Sequence, residues 1–475
     1  MGDIVIFYGH AASNWGDLAI NSGLMQLVQE AGRSVEQIRA IRLHPSERFD
    51  HVSRVSLHGA NTADIVSQTG ARASVDELLK LNGYLAAPDD FVREHRLRAA
   101  DMIIINSGEH LFESPTGESP RDLLWRILPL ISANRAATPV MVMPSTIGPF
   151  RAQLGHQLTT LLERLPVAFA FREVASRELM GSTALAERPV LLDPGFFAHG
   201  LQPRQGFPEV PRTVGMVFRL EDYGLRAGSK RSAFVQAKFR SSTFQESQAY
   251  QTFEHAAEKH LADGRSLRLI IQTQADRELT LALYEALTRR HPQADIQLKD
   301  PETFQEYLDE LRDLDLLLTS RFHAVILAEA QGVPAVGVYS ESHGHKMRGL
   351  MTLLGAPKAA VRLGDRDAHV VAADIARASR DSWEDRRARW NRLEELKGQT
   401  RLWFERALDM DRKGPVDTSR VQIAALADLN RALADSVQQD QLQNIRASLR
   451  RIEKALDSAE NPTPASEETS EAELA

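Results

Sequence analysis

The sequence of 475 residues contains no cysteine. This absence excludes disulfide bonds, thiolate metal sites and a cysteine nucleophile. Long apolar runs are absent as well, because no stretch approaches the ~18 apolar residues that a membrane-spanning helix needs. The chain enters an apolar strand, Ile4–Tyr8, almost at once, without the basic and apolar regions of a signal peptide. From these absences we expect a cytoplasmic protein without transmembrane segments.

Neither sign of charge dominates the sequence. It has 57 Lys and Arg against 64 Asp and Glu, a net charge of −7, and 43% of its residues are apolar. A surface with this balance has no general affinity for polyanions, so nucleic acid is not an expected partner. The apolar fraction is ordinary for a globular protein, and a chain of 475 residues is too long for one core. We therefore expect two domains and an appendage.

Strands and helices alternate along most of the chain, in two successive sets. Buried strands are predicted at Ile4–Tyr8 and 101–106 in the first set, and at 213–218 and 267–272 in the second. The proline- and glycine-rich residues 200–212 read as a linker between the sets. Such alternation is typical of α/β domains with parallel sheets. The expected divisions are an N-terminal domain at 1–199, the linker at 200–212 and a C-terminal domain at 213–373.

The end of the chain has a different pattern. Leucine and isoleucine recur at three- and four-residue spacing between Leu426 and Leu456, with a break at 438–441. This spacing predicts a helical hairpin or a short coiled coil within a helical extension at 374–460, through which we expect a homo-oligomer. Residues 461–475 contain Pro, Ser, Thr and four Glu. This composition predicts a disordered acidic tail.

The most informative stretch is 315–354, which reads as a strand, a helix and a second strand. Ligands of such units gather beyond the carboxyl ends of the strands, where helix N-termini attract anions. Arg321 and His323 lie at that place. An arginine offers a planar fork of donors to a carboxylate or phosphate, and a histidine exchanges a proton near neutral pH. The pair predicts acid chemistry on an anion, unless it is only a helix cap and a surface contact.

Short polar motifs also follow the strands of the first set. Asn14-Trp15-Gly16-Asp17 opens a helix that Asp17 is expected to cap, and the lack of GxGxxG gives no support to dinucleotide binding. Asn106-Ser107-Gly108-Glu109 follows the strand 101–106, and the proline-bearing turn Pro144–Phe150 follows another strand. Arg172-Glu173 ends a further strand. Arg172 is a second candidate anion ligand, with an ion pair to Glu173 or a solvated position as the alternatives.

Together these motifs resemble those of the polysaccharide pyruvyl transferase family. The resemblance rests on Ser320-Arg321-Phe322-His323-Ala324 with Gly332-Val333-Pro334, on the Asn14 motif, on Ser145-Thr146-Ile147-Gly148-Pro149-Phe150 and on Arg172-Glu173. It covers roughly residues 3–365. One departure is the turn at 106–109, which is glycine-rich in the family and here keeps only Gly108.

The resemblance implies transfer of the enolpyruvyl part of phosphoenolpyruvate onto two hydroxyls of a sugar, which leaves a pyruvate ketal. The acceptor would be a polysaccharide or its lipid-linked precursor, reached by peripheral contact at the inner face of the membrane. The implied fold is two Rossmann-like β/α domains around a cleft (GT-B-like), with the helical extension added. No cofactor or metal is expected, because His343 and His345 lack a carboxylate partner in register.

The resemblance also implies roles for particular residues. His323 and Arg321 would be catalytic, with His323 as the general acid. The residues expected to bind substrate are Arg172, Asn14, Gly16, Asp17, Ser107, Gly108, Ser145, Gly148, Ser320, Phe322 and Lys346.

Two other functions remain open at this point. A GT-B glycosyltransferase would use the same cleft and a basic anion site, but its donor would be a nucleotide sugar. A non-catalytic glycan-binding or assembly protein is favoured by the eroded turn at 106–109 and by the long C-terminal helices. The presence of both Arg321 and His323 argues against the second alternative.

Overall fold

The structure, a computed structural model, describes residues 3–8, 14–42, 61–64, 75–106, 108–112, 121–150, 152–181, 183–219, 243–340, 344–434 and 438. Within these ranges the chain forms two α/β domains, each built on a parallel β-sheet, and a helical C-terminal region. The alternation of strands and helices in the sequence predicted this architecture correctly.

The first sheet is formed by β1 (Asp3–Tyr8), β2 (Ile38–Arg42), β3 (Asn61–Asp64), β4 (Ala100–Asn106), β5 (Glu109–Leu111), β6 (Val140–Ile147) and β7 (Val167–Phe171). Its helices are α1 (Trp15–Glu30), α2 (Val75–Ala86), α3 (Pro88–Glu94), α4 (Arg121–Ala136), α5 (Gln153–Arg164) and α6 (Val174–Leu179). The strand order is β3-β2-β1-β4-β6, and both β5 and β7 pair with β6. Ile4 and Ile6 share a core with α1, whereas Val5 and Phe7 enter the core on the opposite face. Helices therefore cover both faces, which explains the unbroken apolar runs of the strands.

The second sheet is formed by β8 (Thr213–Val217), β9 (Ser266–Ile270), β10 (Ile296–Lys299), β11 (Leu316–Thr319), β12 (Ala335–Tyr339) and β13 (Ala360–Arg362). Its helices are α7 (Gln248–Ala262), α8 (Arg277–Arg290), α9 (Phe304–Arg312), α10 (Phe322–Glu329) and α11 (Gly344–Leu353). The strand order is β10-β9-β8-β11-β12-β13, with parallel pairing throughout. This domain repeats the doubly wound plan of the first.

The two domains meet at the carboxyl ends of their strands. The direction of winding reverses between β1 and β4 in one sheet and between β8 and β11 in the other, and ligands of doubly wound folds bind at such points. Asn14, which follows β1, forms an isolated antiparallel bridge with Thr273, which follows β9. The segments expected to hold a ligand in each domain therefore line one cleft.

One apolar core continues from the first domain into the second. Leu24 of α1 and Phe196 of the short 3-10 helix Pro194–Phe197 belong to the same buried cluster as Ile326 and Leu327 of α10. Domains that share a buried apolar interface are held more firmly than domains that touch through polar surface.

The helices after β13 tie the two domains together. α12 (Ala368–Glu384) packs on α7, so the expected boundary at residue 373 falls inside a helix of the second domain. α13 (Arg386–Leu408) then runs back toward the first domain. Arg389 pairs with Glu329 of α10, whereas the Thr400 hydroxyl accepts the N–H of Leu192 at 3.1 Å. α13 therefore contacts both domains.

The next helix, α14 (419–434), belongs to the first domain. Its residues Val421, Ala425 and Leu429 are buried in the core beneath α2 to α5. The leucine spacing predicted that Leu429 belongs to a helical hairpin or coiled coil outside the domains. It is instead a core residue, because its helix offers an apolar side to the first domain. Residues 439–475, which carry the remaining leucines and the expected acidic tail, lie outside the described residues.

Among the described helices, none is both long and apolar enough to cross a membrane.

Candidate functional site

The candidate site lies where β11 ends and α10 begins. Arg321 has an extended backbone (φ −96°, ψ 119°) and precedes the first helical residue, Phe322, as predicted. The Thr319 hydroxyl accepts the N–H of Arg321 at 2.9 Å and donates to a carbonyl of β8. Ser320 is buried, and its hydroxyl accepts the N–H of Arg219 at 2.9 Å. Both hydroxyls thus fix the turn that presents Arg321.

The guanidinium of Arg321 is held by the carboxylate of Asp276. Nε donates to Oδ2 at 2.8 Å and Nη2 to Oδ1 at 2.5 Å, and Nη2 also donates to the hydroxyl of Thr273 at 3.1 Å. Asp276 is only 3% exposed, so this is a largely dehydrated ion pair. Two of the guanidinium nitrogens that were expected to bind an anion therefore already donate to Asp276. Of the side-chain nitrogens of Arg321, Nη1 alone has no hydrogen-bonding partner among the described residues.

Arg172 enters the cleft from the end of β7 in the first domain. It is 2% exposed, and its Nε donates to the hydroxyl of Thr146 and its Nη1 to Oδ2 of Asp193, each at 2.8 Å. Its ion pair is thus with Asp193, not with Glu173. The ring of Phe322 covers one face of the guanidinium at 4.5 Å, which joins the two domains through a cation–π contact. Nη2 makes no hydrogen bond to the described residues.

His323 lies between Asp193 and the start of α1. Its Nε2 is 4.0 Å from Oδ2 of Asp193, the oxygen that also accepts from Arg172. The other carboxylate oxygen of Asp193 accepts the N–H of Gly195 at 2.7 Å, which fixes the orientation of the carboxylate. On its opposite side the imidazole packs against Gly16, where a Cβ would come within 2.3 Å of Nδ1. The buried carboxylate of Asp193 therefore forms an ion pair with Arg172 and also lies beside the imidazole of His323.

Asn14, and not Asp17, caps α1. The side-chain oxygen of Asn14 accepts the N–H of Gly16 at 3.1 Å, whereas Asp17 lies within the first turn. A carboxylate in the first turn still favours the helix through its dipole. The same oxygen of Asn14 also accepts from Nε2 of Gln272 at 3.2 Å, across the cleft. The Asn14 motif is therefore placed at the domain interface.

The other residues expected to bind substrate lie around this centre. Gly108 packs against Arg172, because a Cβ there would come within 2.5 Å of Nη1. Ser145 lies inside β6, which runs past the predicted end at residue 143, and its buried hydroxyl donates to a carbonyl of the same strand at 2.6 Å. Gly148 forms the turn after β6 with φ +76°, a conformation that favours glycine. Ser107 lies outside the described residues.

Lys346 is buried on α11, the helix that packs against α6 of the first domain. Gly349, one turn further on, comes close to Glu173 and Ala175. Because residues three apart share a helix face, Lys346 lies at the same seam between the domains. The structure thus places it beside α6.

Glu173 is a buried acid next to the site. Burial raises its pKa to about 7, and the hydrogen bonds from Ser176 and the charge of Arg172 oppose this rise. Glu173 caps α6, since it accepts the N–H of Ser176 at 2.7 Å and a short bond from the Ser176 hydroxyl. The group therefore titrates near neutral pH at the seam between the domains.

No cluster of three His, Asp or Glu side chains that could hold a metal occurs among the described residues. His343 lies outside them. The expectation of a metal-free site stays a prediction.

Three residues of the site had no role in the sequence analysis. They are Asp193, Thr273 and Asp276, none of which the sequence marked as a site residue. Thr273 and Asp276 follow β9 and precede α8, the position that singled out Arg321 after β11, so the same rule would have found them. Asp193 follows no regular strand, and its position does not stand out in the sequence.

A sequence model of the polysaccharide pyruvyl transferase family matches residues 14–342, more than half of the chain. The chain belongs to this family. The match contains Asn14, Arg172, Asp193, Asp276 and His323, and ends before Lys346. The resemblance read from the motifs is thereby confirmed. No curated protein gives a match to the sequence.

The comparison with solved structures gives matches at low sequence identity. A glycosyltransferase from Rickettsia africae ESF-5 is 8% identical, with 86% of this chain and 99% of that chain covered and a TM-score of 0.51. A UDP-GlcNAc 2-epimerase from Methanocaldococcus jannaschii, in complex with UDP-GlcNAc and UDP, is 11% identical over 90% of this chain and 99% of that chain, with a TM-score of 0.45. The first likeness supports the predicted GT-B-like fold and carries no information about the donor.

Proposed function

We propose that this family member transfers the pyruvyl group of phosphoenolpyruvate to two hydroxyls of a sugar, in a polysaccharide or its lipid-linked precursor. The observation that carries the proposal is the shared carboxylate of Asp193, which brings Arg172 and His323 together across the cleft. Family membership supplies the reaction class. A lipid-linked acceptor would be met at the inner face of the membrane by peripheral contact.

The donor has two anionic groups, and the site has two arginines that can reach them. Each of these two guanidinium groups has one nitrogen without a hydrogen-bonding partner among the described residues. These nitrogens are Nη2 of Arg172 and Nη1 of Arg321. Each guanidinium is already balanced by one carboxylate, so the site carries little excess charge before the donor binds. Binding should therefore depend on directed hydrogen bonds more than on net charge.

His323 is the group placed to act as the acid. In the proposed reaction it protonates the methylene carbon of phosphoenolpyruvate, which leaves an oxocarbenium-like centre at the next carbon. The buried carboxylate of Asp193 stabilises the imidazolium that must form before this step. A first sugar hydroxyl attacks the centre, and its proton restores the protonated His323. A second hydroxyl then displaces phosphate, which leaves with the remaining proton, and the ketal is complete.

The test is a donor assay on the purified protein with glycan acceptors. Phosphoenolpyruvate should be consumed with stoichiometric release of phosphate, and the product should show the methyl signal of a pyruvate ketal by NMR. A bound donor at about 100 times its Kd should also raise stability by roughly 2.7 kcal/mol, seen as a thermal shift.

Nucleotide sugars provide the matched comparison. If a nucleotide sugar is consumed while phosphoenolpyruvate is neither bound nor consumed, the glycosyltransferase alternative replaces the proposal. If the protein binds glycans and consumes neither donor, a non-catalytic role is correct.

A further inference from the structure

The Asn14-Trp15-Gly16 segment, defined here as the docking turn, contacts the second domain at each of its residues. Asn14 pairs with Thr273 through the backbone and accepts a hydrogen bond from Gln272 at 3.2 Å. Trp15 stacks on Tyr307, with ring centres 6.5 Å apart and planes at 23°. We propose that this turn positions Arg321 and His323 from across the cleft, and does not itself bind substrate.

A buried tyrosine directs the hydrogen bond that the docking turn accepts from the second domain. Tyr307 is fully buried and donates to Oε1 of Gln272 at 3.0 Å, which leaves Nε2 of Gln272 to donate to Asn14. Burial raises the pKa of Tyr307, so the phenol keeps the proton that it donates. The amide of Gln272 is thereby oriented toward Asn14 of the first domain.

Thr273 transmits the contact to Arg321. Its backbone pairs with Asn14, while its hydroxyl accepts from Nη2 of Arg321 at 3.1 Å and donates to Asp276 at 3.0 Å. The donor-binding arginine therefore shares a hydrogen-bonded unit with the residue that the docking turn holds. Displacing Asn14 would release Thr273 and with it one support of Arg321.

Gly16 sets the distance to His323. A Cβ at this position would lie 2.3 Å from Nδ1, 2.6 Å from Cγ and 2.8 Å from Cβ of His323. Separations this short require the imidazole or a whole domain to move. The backbone of Gly16 is ordinary helix, and the three atoms nearest to an added Cβ all belong to His323, so the clash that alanine creates is with the second domain.

A cross-link measures this approach without any assay of activity. Residues opposite each other in an antiparallel bridge have Cα atoms about 4.5–5.5 Å apart, within the range of a disulfide. The double variant Asn14→Cys, Thr273→Cys should therefore oxidise to a disulfide, and the native chain has no cysteine to compete. Adding Gly16→Ala should slow disulfide formation by about tenfold or more, as expected for overpacking at a contact.

Gly398→Ala is the matched control, because Gly398 lies on α13 with open space around its Cα. It should leave the rate of disulfide formation unchanged. If the double variant does not oxidise, or if Gly16→Ala has no more effect than Gly398→Ala, the docking role is wrong. These outcomes do not depend on the proposed function. Only the roles given to Arg321 and His323 rest on it.

A kinetic comparison then separates docking from substrate binding. Asn14 uses only its side-chain oxygen as an acceptor in both contacts, so Asn14→Asp keeps them. If the turn docks, Asn14→Ala should lower kcat by about tenfold while Asn14→Asp restores most of it, the range for loss of a positioning contact. If Asn14 donates to the anionic donor, Asn14→Asp should be the worse variant and should raise the KM for phosphoenolpyruvate. That second pattern would overturn the proposal.

Discussion

His323 is the residue on which the proposed reaction depends most, because its imidazole lies between the Asp193 carboxylate and the start of α1. We predict that His323→Gln keeps the fold and most of the donor affinity and lowers turnover by about 100-fold or more, the range for loss of a general acid. His255→Gln, on α7, is the control and should not change turnover. Near-normal turnover in purified His323→Gln would remove this residue from the mechanism.

Glu173 gives the protein a defined dependence of stability on pH. Its pKa is about 7 in the folded chain against an ordinary value of 4.5, so the folded state holds a proton that the unfolded state has lost between these values. The free energy of unfolding should therefore fall as pH rises from 4.5 to 7 and stay level above. Glu173→Gln removes this loss and should be more stable than the parent at pH 8, by up to about 3 kcal/mol.

Urea unfolding of both proteins between pH 5 and pH 8 measures this difference. Glu384→Gln, at the exposed end of α12, should keep the parent profile. Parallel pH profiles for the parent and Glu173→Gln would show that Glu173 does not titrate in this range.

At the residue scale the positions of Arg172, Arg321 and His323 were easier to predict from the sequence than the carboxylates that they face. Arg172, Arg321 and His323 each follow the carboxyl end of a strand, and a simple rule of the α/β fold singles out such positions. Their carboxylates are Asp193 and Asp276, which tertiary packing selects. For Arg172 the adjacent Glu173 was the obvious partner in the sequence. It turns away to cap α6, because the helix start offers it N–H groups.

At the scale of elements, α13 is held by an ion pair that is almost wholly buried. Arg389 and Glu329 are 2% and 5% exposed, and burial raises the pKa of Glu329 while Arg389 and the N–H of Ala335 oppose this. Glu329 also accepts that N–H at 2.7 Å, at the start of β12. The pair therefore joins α10, α13 and β12.

We predict that Arg389→Met alone destabilises the protein by about 3–5 kcal/mol, because it leaves Glu329 buried without its counterion. The double variant Glu329→Gln, Arg389→Met should recover most of this loss, because no isolated charge remains buried. Thermal and urea unfolding of the two variants check the prediction. A double variant as unstable as Arg389→Met would show that shape, not charge, governs this contact.

The boundaries of helices and strands were predicted well where an apolar period marked the side chains that face a core. The prediction failed where a single helix cap or a proline determined the boundary. The strand predicted at Ile4–Tyr8 is β1 (Asp3–Tyr8), and the strand predicted at 101–106 is β4 (Ala100–Asn106). α1 begins two residues before Asp17, because Asn14 is the better-placed acceptor for its free N–H groups. β6 continues through Pro144 to Ile147, since β5 and β7 supply partners on either side there. Pairing across a sheet is not visible in the strand's own sequence.

At the scale of the whole molecule, the C-terminal helices pack on the two α/β domains up to residue 434. A chain that ends at Gly414 lacks Val421, Ala425 and Leu429, which are buried in the first domain. We predict that it loses roughly 4 kcal/mol of stability, because burying a Val or Leu side chain contributes about 1.5–3 kcal/mol. A chain that ends at Ala434 should unfold like the full chain. Equal urea midpoints for the two truncated chains would contradict this role of α14.

The same pair of chains tests the expected oligomer. The leucine pattern at 442–456 stays a prediction, so the full chain should be larger in solution than the chain that ends at Ala434. Light scattering measures both masses. An unchanged mass would exclude these residues as the oligomerisation element.

The return of α14 to the first domain also separates the order of synthesis from the order of folding. Residues 1–199 leave the ribosome first, yet their core is complete only when Leu429 has emerged. About 230 residues lie between, which takes roughly 10 to 50 seconds at rates of about 5 to 20 residues per second. Throughout this interval the nascent first domain exposes the surface that α14 will cover, whereas the second domain can assemble as soon as α12 has emerged. Nascent chains stalled before residue 420 should therefore be cut by protease in the first domain and resist it in the second.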